Sequence, residues 1–122
     1  MMARSKWLLA LGVAGLAACA APLDSATIAD AELALTCNNE AQCTRYWQRA
    51  QAWLAQNVPA RLTTATDTVL ETDGGGDKAW RIVRERTDGG LSRIRVYPTC
   101  EQGCSNDKVR VIADLKRYIA GR

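Results

Sequence analysis

Two close pairs of cysteines, Cys37-x5-Cys43 ("CNNEAQC") and Cys100-x3-Cys104 ("CEQGC"), constrain this 122-residue chain more than any other feature. Four thiols in two pairs either hold a metal ion or close two disulfides. Zinc-binding pairs usually have about two to four intervening residues. The first pair has five, and the chain contains no histidine to complete a mixed site. The choice therefore turns on the compartment, because disulfides persist only where the surroundings are oxidising.

The N-terminus supplies that compartment. Arg4 and Lys6 precede an apolar run from Trp7 to Leu16, about half the length that crosses a bilayer as a helix. Ala17 and Ala18 then lead into Cys19, so charge, apolar run and small residues follow in the order of an export signal. The stretch Leu16-Ala17-Ala18-Cys19 resembles the lipobox of bacterial lipoproteins. The resemblance implies cleavage before Cys19, a diacylglyceryl group on its thiol and acylation of the new amine. Each buried methylene contributes about 0.8 kcal/mol, so two or more acyl chains anchor stably where one does not. Ala20, rather than Asp, follows the cysteine, which by the sorting pattern of that family implies the outer membrane with the domain facing the periplasm. The alternative is a plain secretory signal with an incidental cysteine.

Removal of residues 1–18 leaves 104 residues, one small domain by size. Loss of Arg4 and Lys6 lowers the 16 basic residues to 14 against 13 acidic ones, a net charge of +1 rather than +3. That balance gives no support to nucleic-acid binding. In an oxidising periplasm the four remaining cysteines read as disulfides, and three pairings can be drawn. The polar, turn-prone residues inside each pair favour the two local bridges, Cys37 with Cys43 and Cys100 with Cys104. A cross-pairing of the two clusters would instead staple the ends of the domain together.

Along the chain, residues 20–36 are Ala-rich with little pattern and read as a flexible tether with a frayed helical turn around Ala29 to Leu35. A flexible segment of that length would reach roughly 23 Å. Residues 41–57 carry Cys43, Tyr46, Trp47, Ala50 and Leu54 at three- and four-residue steps, the stripe of an amphipathic helix with Trp53 at its edge. Core packing explains that aromatic stripe, and an aromatic ligand box is the sharper alternative. Asn57 and Pro59 stop the helix. Arg61 to Thr72 reads as one strand rich in Thr and Val, and "DGGGD" at 73–77 as a turn. Ala79 to Arg86 and Leu91 to Tyr97 are two further strands joined by "DGG" at 88–90, a strong hairpin signal. Asn106 is placed to cap a last helix over 107–120, and Gly121 to end it. The expected fold is α+β in two layers: an N-terminal helix, a three-stranded antiparallel meander and a C-terminal helix. The domain so defined spans 37–122, behind a signal (1–18) and a lipidated tether (19–36).

Two helices cover one sheet face, so the other meets solvent. Alternation puts Arg81, Arg93, Arg95 and Tyr97 on that open face. Arginine's planar fork binds carboxylates and phosphates in bidentate fashion, and tyrosine adds a stacking surface. A wet sheet face needs polar residues in any case, and Glu85, Asp67 and Glu71 are available to pair with these arginines. That structural reading carries the greater weight, and a partner surface is the alternative.

Signals for catalysis are weak. Histidine, the commonest general base, is absent. Ser92 and Ser105 lie in no nucleophile motif. Asp73, Asp77 and Asp88 sit beside turn glycines, where aspartate bonds locally. The GGG at 74–76 lacks the Lys-Ser/Thr of a phosphate loop. No enzyme, metal or cofactor is expected.

The pattern of Cys-x5-Cys, "RYWQRAQAWLAQN" with Trp47 and Trp53, "TATDTVLET" ending in Glu71-Thr72, and a second Cys pair resembles a group of small proteobacterial envelope proteins. It implies common descent across about residues 37–120, and no activity. The expected function is that of an outer-membrane lipoprotein, held by the lipid on Cys19, that binds or scaffolds another envelope protein or an anionic cell-envelope polymer. An inhibitor of a cell-wall hydrolase such as lysozyme is the alternative, and an enzyme acting on cell-wall polymer a third.

Overall fold

The computed structural model describes residues 22–74, 79–100 and 103–122. The lipobox, Cys19 and most of the 73–77 turn lie outside them. The chain runs α1 (Ser25–Glu32), β1 (Leu35–Cys37), α2 (Glu40–Asn57), β2 (Leu62–Ala65), β3 (Val69–Thr72), β4 (Arg81–Arg86), β5 (Ser92–Tyr97) and α3 (Asn106–Ala120). The α+β class is as expected. The meander is not: the sheet has five antiparallel strands in the order β1-β5-β4-β3-β2.

Two local causes account for the extra strands. The stretch 61–72 is a hairpin rather than one strand, because Thr66 folds it back. Its Oγ1 accepts from Val69 N–H at 2.9 Å, and its own N–H donates to Val69 O at 2.9 Å. A threonine hydroxyl thus does the work of a turn residue, and Trp47 Nε1 ties the turn to α2 by donating to Thr66 O at 2.8 Å. The second addition comes from the presumed tether. Leu35 and Cys37 turn inward on a three-residue strand paired with Ile94 and Ser92 of β5. Ahead of it, Asp24 caps α1 by accepting from Thr27 N–H at 2.7 Å. The folded part therefore reaches back to Asp24, not to residue 37.

Helix α2 begins where Asn39 Oδ1 accepts from Gln42 N–H at 2.8 Å and Gln42 reaches back to Asn38 N–H at 2.7 Å. Its buried face is Cys43, Trp47, Ala50, Trp53 and Leu54, so Trp53 belongs to the core and Tyr46 is the half-buried edge. Helix α3 is capped by Ser105, one residue before the expected Asn106, and ends on Gly121 in the left-handed conformation (φ 77°). Ile112, Leu115 and Ile119 of α3 join the α2 stripe over Leu35, Leu70, Trp80, Ile82, Ile94 and Val96 of the sheet. Trp53 and Trp80 meet edge to face at 5.7 Å, and Trp53 Nε1 donates to Asp114 at 2.9 Å. Both indole N–H groups of the α2 stripe find partners within the protein, as core packing requires.

The cysteines pair locally. Cys37–Cys43 is fully buried and joins β1 to α2, whereas Cys100–Cys104 is half-buried and closes the loop before α3.

Candidate functional site

The sheet face away from α2 and α3 is laid out by register. Thr36, Arg93 and Glu85 stand side by side across β1, β5 and β4, followed by Arg95, Val83 and Val69, then Tyr97, Arg81 and Glu71. The four residues expected to share this face, Arg81, Arg93, Arg95 and Tyr97, do share it. Their settings differ. Arg95 Nε bonds Glu85 at 3.0 Å with both side chains partly exposed, and Arg81 lies over the Tyr97 ring at 5.8 Å. Arg93 is exposed and has no ion pair among the described residues. Glu85 is thus engaged as one of the anticipated partners, diagonally. Asp67 lies in the Thr66 turn instead, and Glu71 stands opposite Arg81 without a bridge to it.

Beside β5 the face falls away into a cleft of about 470 Å³, bounded by Arg93, Arg95, Tyr97 and Thr99 on one side and Leu33 and Ala34 on the other. Lys116 reaches it from α3. A second cavity of about 370 Å³ adjoins it on the helix side and shares Glu32, Val96, Thr99 and Lys116. Lys116 Nζ donates to Ala31 O and Leu33 O, both at 2.8 Å, and so caps the C-terminal end of α1. Half burial pushes its pKa down from 10.5, with Glu32 pulling it back. Arg117, the next residue of α3, bonds Asp30 at 2.6 Å and holds that carboxyl below its ordinary value.

One charged group escaped the sequence reading. Arg84 points inward and is among the buried residues. Its fork grips Glu40 at 2.9 and 3.3 Å, and its Nε donates to Ser92 Oγ at 3.2 Å. The hydrogen bonds from Arg84 hold the Glu40 carboxyl below its ordinary value of 4.5. The signal for this was present: alternation from Trp80 and Ile82 puts Arg84 on the core side. Its position says that it locks α2 onto β4 and β5, not that it meets a ligand. Lys116 was legible as a helix residue only, since its carbonyl partners come from a segment that carries no pattern of its own.

Among the described residues no group of three His, Cys, Asp or Glu is arranged to hold a metal ion, and no helix is long and apolar enough to cross a membrane. Comparison with known proteins finds no matching family, and no similar curated protein or solved structure.

Proposed function

We propose that the protein is a lipid-anchored envelope protein that holds an acidic partner protein against its open sheet face. The observation that carries this reading is the grouping of Arg81, Arg93, Arg95 and Tyr97 on a sheet face that no described element covers, centred on Arg93, which has no ion pair among the described residues, and continuous with the cleft beside β5. With Glu85, its cross-strand neighbour, engaged by Arg95, the exposed Arg93 guanidinium offers a planar fork to an incoming carboxylate. A chain lipidated at Cys19 would have only residues 20–24 between the lipid and α1, and at about 3.5 Å per residue these span no more than roughly 18 Å. The domain would then work close to its membrane rather than on a long leash.

Two measurements test the reading. Intact mass of the protein expressed from its own signal, as wild type and Cys19→Ser, should show a lipid adduct on the wild type only. Detergent-solubilised envelope passed over immobilised protein should yield a partner released by salt, and the triple substitution of Arg81, Arg93 and Arg95 by serine should abolish its capture. An unlipidated wild type, or equal capture by the triple variant, would refute the proposal. Protection of cell wall from added lysozyme would favour the inhibitor reading, and release of soluble wall fragments by the protein alone would favour an enzyme.

A further inference from the structure

The neighbours of β5 limit how a partner can reach the arginines of the open face. Strand β5 pairs with β4 along all six of its residues, and on its other side β1 covers Ser92, Arg93 and Ile94. The same register carries Ala34 to the position opposite Arg95. No strand can therefore join the sheet beside Arg93 or Arg95, and a partner must settle on the face from above.

Three rows cross the strands there. Arg93 and Glu85 form the first, Arg95, Val83 and Val69 the second, and Tyr97, Arg81 and Glu71 the third. Val83 and Val69 are half-buried and stand abreast, an apolar pair in the middle of a polar face. Arg95 is engaged by Glu85, whereas Arg93 and Arg81, in the outer rows, make no ion pair among the described residues. Along the strands the layout is thus cation, valine pair, cation. Rows lie about 6.7 Å apart and strands about 4.8 Å, so the patch measures roughly 13 Å by 10 Å.

We infer that this patch receives a short amphipathic helix of a partner protein, with the pattern acid-x-x-aliphatic-aliphatic-x-x-acid. The inference rests on the binding role proposed for the open face and names the element that face takes. A helix with its side chains is about 10 Å wide and rises about 1.5 Å per residue, so about nine residues cover the patch. Residues i and i+7 lie on one line, with i+3 and i+4 side by side between them. Acids at i and i+7 meet Arg93 and Arg81, and the aliphatic pair meets Val83 and Val69. Arg93 stands one strand to the side of Val83, an offset that its long side chain closes. A strand laid on the same face offers the middle row one residue rather than two, because its side chains alternate. Glu85 and Glu71 stand beside the two arginines and repel acids placed elsewhere, which fixes the register.

The test is an NMR titration of the protein expressed from its own signal and purified in detergent. The probe is an end-blocked peptide of about sixteen residues, long enough to form a helix. It carries Glu-x-x-Leu-Leu-x-x-Glu at its centre in an alanine and glutamine background. The expected result is saturable movement of the Val69 and Val83 methyls together with the Arg81 and Arg93 side chains, and a rise in peptide helicity by circular dichroism. Moving the leucines to i+2 and i+5, on the opposite side of the helix, should weaken binding about tenfold or more, as should proline at i+5. The double variant Arg81→Glu, Arg93→Glu should lose the peptide and take its lysine-for-glutamate version instead, a rescue that a misfolded variant cannot give. Movement of the arginines with the valines unmoved, or equal binding of the proline peptide, would overturn the helix site while leaving the binding role of the face standing. So would failure of the lysine peptide to bind a double variant whose amide spectrum is otherwise native. No response at millimolar peptide would overturn the inference as well, and the envelope capture experiment then decides separately whether the face binds anything.

Discussion

The two faces of the sheet come from the same strands and obey opposite rules. On β4, Ile82 is fully buried beneath the helices, and its neighbour Val83 is half-buried on the open side between Val69 and Arg95. The buried part of the inner face is apolar apart from Arg84, Ser92 and Thr72, and each of these makes a hydrogen bond within the protein. The outer face carries three arginines and two glutamates across β3, β4 and β5, with Arg93 unpaired among the described residues. The buried core lies on one side of the sheet and the proposed binding surface on the other. Substitutions should separate them.

The largest contrast is between adjacent residues. Ile82→Ala should cost about 3–4 kcal/mol in urea unfolding, because a fully buried side chain leaves a cavity. Val83→Ala should cost less than about 1 kcal/mol. Comparable losses at the two positions would mean that the outer face is covered after all. The disulfides should show the same gradient. Replacing Cys37 and Cys43 by alanine removes a buried link from β1 to α2 and should cost about 3 kcal/mol, against about 2 kcal/mol for the half-buried Cys100–Cys104 pair. In graded reductant, mass spectrometry should find Cys100–Cys104 opening first.

Arg84 tests the exception on the inner face. Arg84→Met should destabilise by about 2 kcal/mol, since it leaves the Ser92 hydroxyl buried without its partner. Adding Ser92→Ala should restore part of that loss. The variant should also change the acid limb. Glu40 titrates below 4.5 in the folded protein, so the stability it contributes is fully present above pH 4.5 and is lost as the pH falls through the folded value. Arg84→Met should flatten the pH dependence of unfolding in that window, and an unchanged acid limb would mean that the pair is not what lowers Glu40. The smallest effect on stability belongs to the proposed surface. Arg93→Ala and Arg95→Ala should each stay within about 0.5 kcal/mol of wild type, while capture of the envelope partner falls.

Much of this division was legible in the sequence. Alternation over "RIVRER" and "LSRIRVY" put Arg81, Arg93, Arg95 and Tyr97 together because a strand's period of two leaves no freedom once one face is apolar. Helices α2 and α3 announced themselves through three- and four-residue spacing, and the DGG hairpin through its glycines. The missed elements lack such signals. Helix α1 buries none of its residues and is held to α3 by Arg117 and Lys116 instead, so it has no apolar stripe to read. Strand β1 is three residues long, too short for a period to show. The break between β2 and β3 depends on Thr66 bonding back to the backbone, and threonine looks like a strand residue until that bond is seen.

The most direct test of the division places a photo-crosslinking amino acid at position 36, exposed on the open sheet face beside Arg93, and, separately, at position 56, exposed on α2, in the protein expressed from its own signal in cells. Irradiation should give a discrete protein adduct from position 36 and none from position 56, and Arg93→Glu should remove it. An adduct from position 56 alone, or none from either, would contradict the assignment of binding to the arginine face.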